Sequence, residues 1–179
     1  MKMSDFTGLA ARVSGKGADA WEVHRIAQER KEAGADILIL SIGEDVAART
    51  PDHVVEACIE SLNQGRHHYS YMIGQPNLRK AIVDHHQALT DQALSVDNCV
   101  VFAGAQNALY AVSSCLLEAG DEVIVVEPYY STYPATFTAN GAKMVTIVAR
   151  GEKGFQPELS EIKAAITPRT KALVINSPA

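Results

Sequence analysis

The sequence predicts a three-layer α/β/α protein with a mainly parallel sheet. From residue 99 onward, short segments that suit strands alternate with amphipathic segments that suit helices. The strand segments are almost wholly apolar, a pattern typical of parallel strands buried on both faces. Right-handed crossovers between such strands place helices on both sides of the sheet. The predicted strands are Cys99–Phe102, Val123–Val126, Met144–Val148 and Ala172–Ile175, and the predicted helices lie near 105–119, 131–140 and 157–166.

The first half of the chain predicts helices joined by loops. Residues 1 to about 18 show no periodic pattern and are interpreted as an arm. Asp19 is placed to cap the helix that follows this arm. Thr50 and Pro51 indicate the next helix start, because threonine suits the N-cap and proline the first helical position. The remaining predicted elements of this half are a short strand over Ile37–Ile42 and a helix that begins near Pro76.

Composition and charge exclude several classes of partner. With 179 residues and 47% hydrophobic content, the chain is long enough to bury one substantial core. Its formal net charge of -5 argues against nucleic acids and anionic membrane surfaces as partners. No apolar run approaches the roughly 20 residues that cross a bilayer, and the start of the chain lacks a signal-peptide pattern. We therefore expect a cytoplasmic protein with no membrane or nucleic-acid partner.

The cysteines and histidines do not predict a metal site. The 3 cysteines lie far apart in apolar segments, as buried reduced thiols of a cytoplasmic protein do. The histidine pairs His67-His68 and His85-His86 are adjacent in the chain, and adjacent side chains on a helix or strand point in different directions. We expect no metal in this protein.

The turn between the strand at 99–102 and the next helix is a candidate phosphate site. Gly104 removes side-chain bulk, and the backbone N–H groups of Ala105 and Gln106 follow at a helix N-terminus, where the helix dipole favours an anion. The turn lacks the Gly-Lys-Ser/Thr of a Walker loop and the later glycines of a dinucleotide fingerprint. Taken alone, it is equally consistent with a plain connection and with a phosphate site.

Paired tyrosines stand near this turn in the predicted fold. Tyr129 and Tyr130 follow the next strand, and ligands of open parallel sheets bind outside the carboxyl ends of the strands. One ring is expected to pack on the next helix, and a ring that faces the cleft would stack on a planar heterocycle. Tyr69 and Tyr71 form another pair, of which at least one is interpreted as reaching outward to a ligand or partner. The combination suits a planar, phosphorylated cofactor.

The order of these motifs resembles the N-terminal part of the class I/II, fold-type I pyridoxal-phosphate aminotransferases of the aspartate aminotransferase superfamily. Within that superfamily the opening of the chain and the phosphate turn are most similar to the arginine–pyruvate transaminases. The matching segments are Leu40–Glu44, Tyr69 with Gly74–Arg79, Ala103–Tyr110, Gly120–Val125, Glu127–Tyr130 and Ile166–Leu173 leading to Asn176–Pro178.

The resemblance implies roles for individual residues. The Gly104–Gln106 turn would hold the phosphate of pyridoxal 5'-phosphate through backbone N–H groups, and Tyr130 would stack on its pyridine ring. Gly43 would offer its backbone N–H to the α-carboxylate of the substrate. Tyr69 would reach the phosphate of the other subunit's cofactor, which implies a homodimer.

The resemblance also implies an activity and a domain organisation. The activity is transfer of an amino group from an amino acid to a 2-oxo acid. Residues 1–45 would form the N-terminal arm and part of the small domain, and residues 46–179 the N-terminal portion of the cofactor-binding large domain. In the family the Schiff-base lysine comes after the segment that matches Asn176–Pro178, and no lysine of these residues is placed to substitute for it. Lys143 and Lys171 precede their strands, at the amino ends, and the other lysines lie on predicted helices or in loops. We therefore expect no catalytic residue in this chain, an incomplete sheet and no activity of these residues alone.

The family's strand order makes a specific prediction for the sheet. The strands at 123–126 and 144–148 would both lie on one side of the strand at 172–175, and the strand at 99–102 would have no neighbour in this chain.

Fold-type I lyases and synthases share every motif present here. The residues also leave open a non-catalytic α/β module that binds a phosphate ligand, and a non-catalytic domain of a regulator.

Overall fold

The structure is a computed structural model and describes residues 6–14, 16–43 and 47–177. The described helices are α1 Gly8–Val13, α2 Lys16–Glu32, α3 Asp52–Asn63, α4 Pro76–Thr90, α5 Ala105–Leu116, α6 Tyr133–Thr138 and α7 Leu159–Ala165. The described strands are β1 Glu122–Glu127, β2 Lys143–Val148 and β3 Thr170–Val174. None of these helices is both long and apolar enough to cross a membrane.

The chain divides into two compact units. One unit consists of residues 1–42 and 106–179 and contains the sheet, and the other consists of residues 43–105 and contains α3 and α4. The domain boundary predicted at residue 45 lies outside the described residues, so the division into 1–45 and 46–179 stays a prediction.

The sheet of the first unit is 3-stranded and parallel, with the order β2-β1-β3. In this register Val123 of β1 lies between Met144 of β2 and Ala172 of β3. The central strand is therefore shielded on both edges, and Val123, Ile124 and Val125 are fully buried in succession. The parallel α/β fold predicted from the apolar strands is confirmed, and so is the predicted position of β1 and β2 on one side of β3.

The core of this unit is formed by the central strand and the aromatic side chains of α6. Val123 and Val125 of β1 pack with Tyr133 and Phe137 of α6 and with Leu117, which follows α5. The rings of Tyr133 and Phe137 meet edge to face with their centroids 5.3 Å apart. This geometry stabilises the pair beyond the contribution of their buried apolar area. This packing fixes the segment between β1 and α6, which carries Tyr129 and Tyr130.

Two predicted strands are absent from the described sheet. Residues Cys99–Phe102 form no strand. The N–H of Val101 donates to the carbonyl of Ile73 at 3.1 Å, and this single bond does not make a strand ladder. Residues 37–42 likewise form no strand. Strand structure requires a paired neighbour, and no described strand runs beside either segment. The apolar pattern therefore identified segments that suit a sheet without showing whether a partner strand is present.

Helix starts differ from the predictions in the first half. Asp19 lies inside α2 rather than at its N-cap, and Pro51 rather than Thr50 is the N-cap of α3. The predicted arm contains the short helix α1, and Arg12 of this helix donates through Nε to the carbonyl of Ala139 at 2.9 Å. Ala139 follows α6, so a tertiary contact stabilises a helix too short to show a periodic pattern.

A buried carboxylate joins β1 to the segment before β3 at the amino ends of the strands. Glu122 is 3% exposed, and its carboxylate accepts from the hydroxyl of Thr167 at 2.7 Å and from Arg169 Nη2 at 2.8 Å. The ammonium of Lys143 lies 4.0 Å from the same carboxylate. The hydrogen bond from Thr167, and then that from Arg169, hold the pKa of Glu122 below its ordinary value of 4.5.

This lowered pKa predicts an acid-sensitive contribution to stability. A carboxyl with a depressed pKa in the folded state stabilises the protein above its unfolded pKa and loses that contribution as the pH falls through the folded pKa. We expect Glu122→Gln to lower the thermal unfolding midpoint at pH 7, with the deficit shrinking below pH 4.5. Midpoints measured from pH 7 down to about 3 test this. Glu118→Gln, at an exposed position, is the control; a deficit independent of pH would contradict the prediction.

Candidate functional site

The predicted phosphate turn adopts a conformation that glycine favours. Gly104 has φ +91°, and its N–H donates to the carbonyl of Phe102 at 2.9 Å. A Cβ built on Gly104 would meet no atom within 4 Å. The glycine is therefore explained by backbone conformation, and the space beside it is open to a ligand.

The backbone donors predicted at this turn begin α5. No acceptor among the described residues takes a hydrogen bond from the N–H groups of Ala105 and Gln106, as is usual for the first turn of a helix. Both residues are exposed. Unpaired N–H groups at the positive end of a helix dipole suit an anionic oxygen.

The two tyrosines after β1 have different surroundings. Tyr129 packs against the core, and its ring stacks on Tyr133 with centroids 6.4 Å apart and planes 18° apart. Tyr130 is 49% exposed, with its ring centroid 6.2 Å from that of Tyr133. One ring is thus used in packing, and the other presents a surface to solvent while being backed by the buried ring of Tyr133.

A side-chain hydrogen bond links α5 to the segment after Tyr130. The hydroxyl of Thr132 donates to Oε1 of Gln106 at 2.7 Å. The sequence predicts a role for the backbone of Gln106 alone and does not indicate this bond of its side chain to Thr132. A threonine directly before a short helix predicts a capping hydroxyl, and no sequence signal distinguishes a cap from a bond to a residue 26 positions away.

Tyr69 and Gly43 belong to the unit of residues 43–105. Tyr69 is fully exposed and borders an open cavity of about 620 Å³. Arg66 and His68 border the same cavity. Gly43 is exposed, and a Cβ there would meet no atom within 4 Å. Their predicted roles toward a partner's cofactor and a substrate carboxylate stay predictions.

A buried arginine holds the segment that leads into the phosphate turn. Arg79 of α4 is buried, and its Nε donates to the carbonyl of Cys99 at 2.7 Å. Its guanidinium also donates to the carbonyl of Val96. Arg79 ends the matching segment Gly74–Arg79, but the resemblance implies no role for it. The structure shows that it donates hydrogen bonds to backbone carbonyls of the segment that leads to Gly104.

The comparisons with known proteins identify the family of this chain. Residues 35–179 match the family model for aminotransferase class I and II, and the chain belongs to that family. It is 48% identical over 178 residues to the arginine–pyruvate transaminase of Pseudomonas aeruginosa, covering 99% of this chain and 44% of that protein. It is 36% identical over 172 residues to the aspartate/prephenate aminotransferase of Thermus thermophilus, covering 96% of this chain and 44% of that protein.

Solved structures give the same result for the fold. The aspartate aminotransferase from Thermus thermophilus with maleate matches with a TM-score of 0.91 and 32% identity, over 100% of this chain and 46% of that chain. The alanine aminotransferase from Pyrococcus furiosus matches with a TM-score of 0.87 and 30% identity, over 97% and 44%. The chain thus spans less than half the length of these relatives. The resemblance inferred from the motifs is confirmed.

The described residues fit the cofactor used by this family. The turn supplies unpaired backbone donors for a phosphate, and Tyr130 supplies a half-exposed ring for a planar heterocycle. Lys143 and Lys171 lie at the amino ends of β2 and β3, as predicted, and therefore at the edge opposite to Tyr130. These two lysines are not placed for chemistry at the carboxyl ends.

Proposed function

We propose that the whole protein, meaning this chain with any residues that flank it, is a pyridoxal-phosphate-dependent aminotransferase. It transfers an amino group from an amino acid to a 2-oxo acid. The proposal is carried by the presence, in a chain of this family, of unpaired N–H groups at the start of α5 and of a half-exposed ring at Tyr130 after β1. We also propose a basic amino donor, on the strength of the 48% identity to an arginine–pyruvate transaminase.

Each site residue has one task in this proposal. The N–H groups of Ala105 and Gln106 bind the cofactor phosphate, with Gly104 leaving room for it, and Tyr130 orients the pyridine ring by stacking. The N–H of Gly43 binds the α-carboxylate of the substrate. When bound, the cofactor supplies an electron sink for the negative charge that develops at the substrate Cα.

We further propose a cytoplasmic homodimer in which Tyr69 of one subunit donates to the phosphate held by the other. The full exposure of Tyr69 supports this, because a fully exposed tyrosine beside an arginine and a histidine is available to a partner. Light scattering on the whole protein gives the mass of the assembly, and a monomer would exclude this role of Tyr69.

Visible absorbance tests the activity directly. The whole protein, purified with added pyridoxal phosphate, is expected to show the absorbance of bound cofactor. Arginine should change that spectrum, pyruvate should restore it, and alanine should accumulate. A protein that stays colourless after incubation with the cofactor would exclude the proposal, and a cofactor-bound protein that forms no alanine would exclude arginine and pyruvate as its substrates.

Removing the exposed ring is expected to weaken cofactor binding. Tyr130→Ala should cost about 1–2 kcal/mol of pyridoxal phosphate affinity, because it removes a stacking contact and its buried area. Tyr130→Phe keeps the ring and should keep most of the affinity. Phe155→Ala, which truncates a half-exposed ring in the segment between β2 and α7, is the control. Equal affinities of Tyr130→Ala and the unmodified protein would transfer the stacking role to another residue.

A further inference from the structure

We propose that Thr132 is a positioning residue that orients the side-chain amide of Gln106 toward an anion at the phosphate turn. Its hydroxyl occupies Oε1 of Gln106, which leaves the amide NH₂ group as the free part of that side chain. This inference rests on the proposed function, because the anion is the phosphate of the cofactor.

The hydroxyl of Thr132 does not perform the task its position predicts. Thr132 is the N-cap of α6, yet its side chain makes no capping hydrogen bond. A capping hydroxyl normally accepts from the N–H of the second or third helical residue, and the second helical residue here is Pro134, which has no N–H. The hydroxyl is therefore free to bond outside its own helix.

The bond to Gln106 decides which end of the amide is available. A glutamine amide carries an acceptor oxygen and a donor NH₂ group on opposite sides of one planar unit. With Oε1 accepting from Thr132, the NH₂ group points away from the threonine, and no described residue accepts a hydrogen bond from it. The free side of the amide is thus a donor, which attracts phosphate oxygens, and the carbonyl, which would repel them, is occupied.

The two partners are held in place from independent directions. Gln106 is the second residue of α5, so its side chain starts from the same helix end as the N–H groups proposed to bind the phosphate. The residue after Thr132 is the buried Tyr133, and the far end of α6 accepts from Arg12 through the carbonyl of Ala139. The backbone that carries Thr132 is therefore held in place, so its hydroxyl can orient the amide.

Binding measurements on the apo form of the whole protein test this role. Thr132→Val keeps the shape of the side chain and removes the hydroxyl, and we expect it to weaken pyridoxal phosphate binding about three- to tenfold, the effect of one hydrogen bond. Thr132→Ser restores the hydroxyl and should restore affinity. Binding of pyridoxal, which lacks the phosphate, should be unchanged in Thr132→Val. Thr138→Val, which removes a hydroxyl at the far end of α6, is the matched control.

A double-mutant cycle separates positioning from a merely structural role. If Thr132 acts through the amide, Thr132→Val should have no further effect on affinity in a Gln106→Ala background. If Thr132→Val left the affinity for pyridoxal phosphate unchanged, or lowered the affinity for pyridoxal equally, this inference would be overturned while the proposed function stayed intact. An additive loss in the double variant would also overturn it. An unmodified protein that fails to bind pyridoxal phosphate would overturn both.

Discussion

Gly74→Ala is expected to lower the free energy of unfolding of the whole protein by about 2–5 kcal/mol, from backbone strain and overpacking together. Gly74 has φ +103°, a conformation that alanine adopts only with strain, and a Cβ there would lie 2.7 Å from both Cβ and Cγ2 of Val101. Neither side can move easily, because the segment that contains Val101 is bonded to Arg79 through the carbonyl of Cys99. The midpoint of urea unfolding measures the effect.

A second glycine of the same unit separates the two causes. Gly65 has φ +73°, but a Cβ there would meet no atom within 4 Å. Gly65→Ala should therefore show the strain alone, about 1–2 kcal/mol. Adding Val101→Ala to Gly74→Ala should recover part of the loss, because it removes Cγ2, one of the two clashing atoms, and leaves Cβ in place. If Gly74→Ala and Gly65→Ala cost the same, the contact between Gly74 and Val101 has no energetic importance.

Ile124→Ala is expected to destabilise the protein by about 2–5 kcal/mol, the usual cost of removing a buried isoleucine side chain. Ile124 is 1% exposed and lies on the central strand, which has a paired strand on each edge, so the backbone around it has little room for relaxation. Val148→Ala, on the adjacent strand but at a side chain that is 53% exposed, should change stability by no more than about 0.5 kcal/mol.

Ile124→Val gives an intermediate test, with an expected loss of about 0.5–1.5 kcal/mol. A graded series from valine to alanine at residue 124, measured by urea unfolding, would show that packing of this side chain sets the cost. Equal losses for Ile124→Ala and Val148→Ala would show instead that the centre of the sheet repacks around the cavity.

Burial on both faces made the sheet predictable, whereas pairing did not follow from the pattern. Consecutive apolar residues at 123–126 indicate a parallel strand from composition alone, and the structure confirms it. Residues 99–102 carry the same pattern but form no strand, since a strand also needs a neighbour that a local pattern does not specify. The order of β1, β2 and β3 was expected from the family resemblance, not from the residues themselves.

Backbone features of the candidate site were predictable, and its long-range side-chain bonds were not. A glycine before an amphipathic helix indicates open N–H groups, and the structure places Ala105 and Gln106 at the start of α5. Arg79 carries a charge that normally indicates an exposed side chain, yet it is buried and bonded to backbone carbonyls. Arg79 and Thr132 both act on partners distant in sequence, so neighbouring residues give no signal of their roles.

The contacts of Glu122 lie at the end of the sheet opposite to the proposed ligand-binding groups. The carboxylate, with Thr167 and Arg169, lies at the amino ends of the strands, and Tyr129 and Tyr130 follow the carboxyl end of β1. Substitutions at the amino ends can therefore tune resistance to acid and heat without altering the groups proposed to touch a ligand. Selection for a new substrate and selection for a new growth temperature can then act on separate sets of residues in one small sheet.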